Sequence, residues 1–217
     1  MKRRYFIAAL VGCGLALTNA EGQIRFNSQP GKSAVKVQGS STFHDWEMDG
    51  AVIGGFIELG AGVEIDEAKG AITGLQGGKM PATVRANINI KAIHSKADHL
   101  PEVMDHLMQE HLQADTYPSV RFQATALALT NSAAGKPFEF SATGDLSIAG
   151  VTNSVSIPVT IEQSDATHLR VVGTAQIKMS AFKIEPPVVN VAGLPTMKTG
   201  DDVTIGIDWT VQKRAAP

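Results

Sequence analysis

Histidine and carboxylate residues are concentrated between residues 94 and 111 of this 217-residue chain. At about 100° per residue, Glu102, His106 and Glu110 would share one face of a helix, and side chains of these types at such spacing can bind zinc. A polar helix face exposed to solvent would contain the same residues. We adopt the second interpretation, so the sequence predicts no metal ligand.

The sequence lacks the catalytic motifs that can be recognised by spacing. It contains no G-x-S-x-G elbow, no H-E-x-x-H helix and no C-x-x-C pair. We therefore predict a protein that is not an enzyme, with no catalytic residues and no cofactor.

A second group of residues that could contact a ligand lies at the start of a predicted strand. If that strand is extended, His44, Trp46 and Met48 share a face, and an inward Trp46 would bring His44 inward as well. An inward histidine near the end of a strand could hydrogen-bond a ligand head group. The alternative is that Asp45 or the backbone satisfies its ring.

Strict alternation of apolar and polar residues is the dominant pattern of the chain, and it predicts strands with one buried face. It is clearest at residues 84–92, where Ile88 and Ile90 lie on the apolar face and Arg85 and Asn87 on the polar one. Continued alternation would place His94 on the same inward face.

The alternation recurs often enough to predict eight strands. The further segments are 33–39, 44–59, 120–128, 138–148, 155–161, 169–179 and 203–211. Eight half-buried strands with little helix favour an all-β fold, an eight-stranded antiparallel β-barrel whose closure removes exposed edges. A Greek-key sandwich would show the same pattern.

The predicted inward faces are rich in small residues, namely Ala86, Ala92, Ala124, Ala126, Ala128, Ala142, Gly144, Gly173 and Ala175. A packed core needs larger side chains at such positions, whereas an eight-stranded barrel has room for one small ligand. The small lining therefore favours a ligand cavity. In the alternative, Phe122, Phe140 and Trp209 fill the space.

One amphipathic helix is predicted between two strands, at residues 100–114. Pro101 suits its first turn, and Leu100, Val103, Met104, Leu107, Met108 and Leu112 recur at helical spacing. The helix could be a lid over a cavity or a cap that completes the core.

The first twenty residues predict a cleaved secretory signal. A basic start precedes an apolar run from residue 6 to 17, and small residues end at Ala20. A lipidated Cys13 is the alternative. Cleavage after Ala20 lowers the basic residues from 19 to 16 against 21 acidic ones, so the formal charge moves from −2 to −5. That charge disfavours nucleic acid as a partner. Residues 21–217 are predicted to form one domain in a periplasmic or secreted protein.

The chain resembles the polyisoprenoid-binding YceI-like family of bacterial exported proteins. The resemblance rests on residues 39–46 (GSSTFHDW), 117–122 (YPSVRF), 144–152 (GDLSIAGVT) and 197–204 (MKTGDDVT), which follow the family order. One departure is Ala181-Phe182-Lys183, where the family often has Asp-Phe-Gly.

The resemblance implies a lipocalin-like barrel whose interior holds an isoprenoid lipid of the quinone or polyprenyl phosphate type, without catalytic residues. Transient membrane contact is compatible with such a carrier. The predicted ligand-binding residues are Trp46, Met48, Ile88, Ile90, Phe122, Phe140, Leu146, Ile157, Val171, Ile177, Trp209, His44 and His94. The alternatives are a filled barrel that binds a protein partner or acts in stress response, and a redox helper of a bound quinone with His44 and Asp45 as its titrating pair.

Overall fold

A computed structural model describes residues 23–190 and 196–214, and it is almost entirely β-structure. The predicted signal segment and Cys13 lie outside the described residues. The strands are β1 (Ile24–Ser28), β2 (Ala34–Ser41), β3 (Asp45–Gly50), β4 (Gly54–Leu59), β5 (Glu64–Asp66), β6 (Ala71–Thr73), β7 (Ala82–Asn89), β8 (Ile93–Ser95), β9 (Ser119–Asn131), β10 (Phe138–Ile148), β11 (Val151–Asp165), β12 (His168–Lys178), β13 (Val188–Val189) and β14 (Met197–Lys213). The helix α1 (Pro101–His111) connects β8 to β9. Among the described residues, no helix is both long and apolar enough to cross a membrane.

The strands close into a ring, which confirms the eight-stranded antiparallel barrel and excludes the sandwich. The order around the ring is β1, β4, β7, β9, β10, β11, β12 and β14, and β14 pairs again with β1. Beyond short breaks, β2, β3 and β8 continue β1, β4 and β7. β2 pairs with β14 from Thr199 to Asp208, β3 pairs with β2, and β8 pairs with β3, so that these strands extend the wall.

The two ends of the barrel are closed differently. We call one the lid end, where α1 and the connections β2–β3 and β10–β11 lie. The other is the closed end, where the connections β9–β10 and β11–β12 meet the segment 60–81 with its β5–β6 hairpin. Glu67 of this segment accepts a hydrogen bond from the Gln163 backbone N–H at 2.6 Å, which fixes it against β11.

A ladder of large side chains fills the barrel near the closed end. Phe138, Ile161, Val171 and Trp209 occupy successive positions of one cross-strand row. All four are at least 93% buried, and Trp209 donates its indole N–H to Ser28 Oγ at 2.9 Å. Burial of side chains this large stabilises the fold, because removing the apolar surface of each one from water contributes about 1.5–3 kcal/mol.

The alternation predicted for most strands is confirmed by their burial. In β10 every second residue from Phe138 to Ile148 is buried, and the residues between are less so. In β12, Val171, Gly173, Ala175 and Ile177 share the inward face.

Two local irregularities shift the alternation by one residue. A turn of 3₁₀ helix at Ile90–Ala92 follows β7, so Ile93 is buried and His94 faces solvent. A register shift between β9 and β10 makes Leu127, rather than Ala126, the inward residue. The inward placement predicted for Ala126, Ala128 and His94 is therefore wrong, because single-residue insertions in the ladder reverse the face of all that follows.

The departure from the family pattern at Lys183 coincides with an unusual backbone conformation. Lys183 has φ of +57°, in the left-handed region that glycine adopts most easily. Its N–H still bonds to the Ser180 carbonyl, and the neighbouring Phe182 is 2% exposed in a small apolar cluster. The turn is therefore formed with lysine where glycine would be less strained.

Candidate functional site: an apolar tube beneath a helical lid

The lid helix begins at Pro101, after Leu100 in the left-handed conformation, and turns one apolar face to the barrel. Pro101 lies in the first turn, where a missing N–H costs nothing. Met104, Leu107, Met108 and Leu112 contact the interior of the lid end. Leu100 and Val103, which were predicted on the same apolar stripe, are instead more than half exposed. The helix therefore lies over the opening, and its start projects beyond the rim.

Polar contacts hold the helix near its middle and at its last turn. Near the middle, Asp105 accepts hydrogen bonds from the Ser95 backbone N–H at 2.6 Å and from His94 Nδ1 at 2.8 Å. At the last turn, His111 donates from Nδ1 to the Glu185 carbonyl at 2.9 Å. The helix thus spans the mouth from β8 to the loop that follows β12.

A cavity of about 140 Å³ lies beneath the helix. It is lined by Val37, Trp46, Met48, Ile93, Met104, Leu107, Met108, His111, Leu112, Val120, Ile148, Ile177, Met179, Ile184, Pro187, Thr199, Val203 and Ile205. A void of this size with an apolar lining stays dry and accepts apolar ligands. Four of its lining residues are methionines, whose flexible side chains adapt to ligand shape.

A second cavity of about 90 Å³ continues the first towards the closed end. Val120 and Ile205 line both cavities, so the two adjoin. The combined lining follows β14 from Thr199 to Trp209. A bulge between Thr199 and Val203 shortens this stretch to about eight extended residues, roughly 26 Å at about 3.3 Å per residue. A strand tilt near 40° reduces this to about 20 Å along the barrel axis. The interior is therefore an elongated tube rather than a compact pocket.

Most of the predicted wall residues line this tube. Trp46, Met48 and Ile177 lie at the first cavity. The second is lined by Ile88, Phe122, Ile157, Val171 and Trp209. Ile90, Phe140 and Leu146 are buried in the surrounding core without lining either cavity.

The two histidines predicted as ligand contacts lie elsewhere. His44 is exposed in the turn before β3, and its Nδ1 donates to the Asp45 carbonyl at 2.9 Å. The strand begins only at Asp45, so the assumption of extended backbone through His44 fails. His94 is exposed and bound to Asp105. Neither histidine lines the tube, and the pair His44 and Asp45 is not at its wall.

The residues that the sequence reasoning missed come mainly from the helix and β14. The helical stripe of Met104, Leu107, Met108 and Leu112 was recognised but not assigned to the ligand wall. His111 and Thr199 were missed altogether. Their spacing gives no signal, because the inward direction of His111 depends on how α1 docks on the barrel.

The charged groups with shifted pKa values lie on the outer surface. The Arg170 guanidinium, 2.6 Å from Asp208, holds the pKa of that carboxyl below its usual range. Hydrogen bonds from Thr167 lower the pKa of Asp165 to about 2. In residues 23–190 and 196–214, no three His, Cys, Asp or Glu side chains converge to hold a metal ion.

Comparisons with known proteins agree with this fold. The family model described as "YceI-like domain" matches residues 26–211. The crystal structure of BcnA from Burkholderia cenocepacia is 21% identical, covers 84% of this chain and 98% of its own, and superposes with a TM-score of 0.57. A polyisoprenoid binding domain from Saccharophagus degradans, implicated in plant cell wall breakdown, is 13% identical, with coverage of 87% and 98% and a TM-score of 0.61. No curated protein matches the chain.

The two solved structures share the fold at identities too low to transfer a function. The family match spans nearly all of the described barrel, from Phe26 in β1 to Val211 in β14. The chain therefore belongs to the YceI-like family.

Proposed function

We propose that this chain binds a long-chain isoprenoid lipid inside the barrel and carries or sequesters it. The observation that carries the proposal is the pair of adjoining apolar cavities beneath α1, lined along about ten residues of β14. Such a tube matches a long, flexible hydrocarbon better than a compact polar substrate. Membership of the YceI-like family supports the same function, and the Saccharophagus relative is named for polyisoprenoid binding.

Transfer of apolar surface from water is the driving force for binding. Each buried methylene contributes roughly 0.8 kcal/mol, so two or three isoprene units offer several kcal/mol. The ordering of a flexible chain opposes this gain. Affinities in the micromolar range or better are therefore expected without any charged contact.

We propose that loading involves transient contact between the lid end and a membrane. Four large apolar side chains at this end are at least half exposed, namely Phe43, Leu100, Val103 and Val188. Flotation with phosphatidylcholine vesicles tests this contact. Phe43→Ser together with Val103→Ser should reduce vesicle association. Val52→Ser is the control, since Val52 is exposed outside the lid end.

We propose a periplasmic or secreted location, with cleavage after Ala20. Intact-mass measurement of the protein recovered from its native host tests both points. A mass that begins at Glu21 supports cleavage at this site, whereas a retained and lipidated Cys13 would contradict it.

Intrinsic fluorescence provides a direct binding experiment, because Trp46 lines the first cavity and Trp209 the second. Titration with geranylgeraniol should change the tryptophan emission saturably at a one-to-one ratio. A Trp46→Phe variant should lose most of the signal that reports on the first cavity. Absence of any saturable change in the unmodified protein would count against the proposed function.

A further inference from the structure

The wall of the tube is almost entirely apolar. Among the residues that the structure describes, the polar side chains that line the first cavity are His111, Thr199 and Trp46. The indole N–H of Trp46 already donates to the Ser40 carbonyl at 3.1 Å. In the second cavity, the Trp209 N–H is likewise bound to Ser28. His111 and Thr199 thus remain to contact a ligand.

The hydrogen bond to Glu185 determines which nitrogen of His111 is available. A carbonyl only accepts, so Nδ1 must carry the proton in that bond. Nε2 of the neutral ring is then an acceptor. Within residues 23–190 and 196–214, Nε2 of His111 makes no hydrogen bond, and the half-buried residue lines the cavity beside the mouth.

None of the lysines and arginines that the structure describes lines either cavity. Arg85 and Arg121 lie on the outer face of β7 and β9, at a surface cavity that meets the second cavity only at Ala86 and Phe122. Neither arginine takes part in the ion pairs found among the described residues. A phosphate buried in the tube would therefore lack a counter-charge, and an unpaired buried charge is strongly unfavourable. A neutral head group carries no such cost.

We propose that the ligand has a neutral, hydroxyl-bearing head group, an isoprenoid alcohol or a hydroquinone, whose O–H donates to His111 Nε2. The head lies at the lid end near Thr199, and the tail extends into the wholly apolar second cavity. This inference rests on the proposed binding of an apolar chain, and it narrows that chain to one class of head group.

Three compounds with the same isoprenoid skeleton test the inference: geranylgeraniol, geranylgeranyl phosphate and the hydrocarbon phytane. We expect the alcohol to bind up to about tenfold more tightly than the hydrocarbon, because it gains one net hydrogen bond that the hydrocarbon lacks. The phosphate should bind more weakly than the alcohol. In the ¹⁵N spectrum, the Nε2 resonance of His111 should shift with the alcohol but not with phytane.

Variants of two histidines on α1 complete the test. His111→Asn, whose amide N–H can replace Nδ1 in the bond to Glu185 but which has no nitrogen at the Nε2 position, should lower the affinity for the alcohol towards that for phytane, so that the ratio of the two affinities falls to about one. His106→Leu, on the exposed face of the same helix, should change neither. Equal binding of alcohol and hydrocarbon by the unmodified protein, or tightest binding of the phosphate, would overturn the inference while leaving the apolar carrier intact. Binding of none of the three would overturn the proposed function and this inference with it.

Discussion

Each end of the barrel contains a cross-strand row of inward-facing residues, and the two rows differ in their packing. Near the closed end, one row of inward residues contains Phe138, Val171 and Trp209, and all are packed together. Near the lid end, the corresponding row contains Ile177, Val203, Gly39 and Trp46. Glycine at position 39 leaves room for the Trp46 ring, which a Cβ would overlap.

The two rows do not differ in polarity but in how completely their side chains occupy the barrel interior. Both ends are apolar and each tryptophan lines a cavity, yet Trp209 is 2% exposed within a ladder of large side chains, whereas Trp46 is only half-buried at the wall of the larger cavity. Rigid aromatic packing stabilises the closed end, and adaptable methionines surround the empty volume beneath the lid. Side-chain packing is therefore expected to contribute more to stability at the closed end than at the lid end.

The largest predicted effect is a loss of stability when the packing at the closed end is disrupted. Trp209→Ala should lower the free energy of unfolding by about 3–5 kcal/mol, because it leaves a large cavity in a packed region. Trp46→Ala is the matched change at the lid end and should cost less than about 2 kcal/mol, since less apolar area is buried there. Urea denaturation of both variants measures the difference. Similar losses of stability would remove the contrast between the two ends.

Filling the tube should separate binding from stability. Ala175 lies on the inward face of β12 and lines the second cavity, so Ala175→Phe should weaken isoprenoid binding at least tenfold. Overpacking of this kind typically costs about 1–3 kcal/mol, so the fold should survive. Fluorescence titration measures the affinity.

The control for this change is Ala126→Phe on β9. Ala126 pairs with Thr143, which faces outward from the barrel, so Ala126→Phe should leave binding unchanged. A loss of affinity in Ala126→Phe equal to that in Ala175→Phe would contradict the assignment of inward faces.

Weakening the contacts that dock α1 on the barrel should increase hydrogen exchange of the α1 amides and the rate of ligand dissociation. Asp105→Ala removes the acceptor for Ser95 N–H and the partner of His94, at a cost of about 1 kcal/mol in helix docking. Ligand dissociation should accelerate about fivefold, as expected for that free energy. Hydrogen exchange of α1 amides and stopped-flow release measure the two effects, with Glu102→Ala as the exposed control. Unchanged dissociation would show that the helix does not gate the tube.

The smallest predicted effect is a gain of stability at Lys183. Lys183→Gly should stabilise the protein by about 1 kcal/mol, because left-handed backbone is unfavourable for a residue with a Cβ and not for glycine. Thermal unfolding measures the change, and Lys136→Gly is a control in a loop at the opposite end. A lower melting temperature for Lys183→Gly would contradict the strain inferred at this turn.

The regular strands could be predicted from the sequence because their alternation is a local property. In β10, Phe138, Phe140 and Leu146 were assigned to the inward face by counting alone, and the structure agrees. Counting failed at His94 and Ala126, where a 3₁₀ turn and a register shift move the pattern by one residue. Such insertions depend on how neighbouring strands meet, which the local sequence does not specify.

The site was predicted in part for the same reason. Residues on regular strands, such as Met48 and Ile157, were placed correctly beside the tube. Residues that line it through docking of the helix, such as Met104 and His111, could be recognised as an amphipathic face but not assigned to the wall. Their position depends on how α1 docks, through Asp105 on Ser95 of β8 and through His111 on Glu185, which lies 74 residues further along the chain.

The most direct test of the account is native mass spectrometry of the purified protein, combined with mass spectrometry of its organic extract. The account predicts one isoprenoid molecule per chain in the unmodified protein and none in the folded Ala175→Phe variant. A protein that is purified empty and also fails to take up added geranylgeraniol would contradict the claim that the tube beneath α1 is a lipid site.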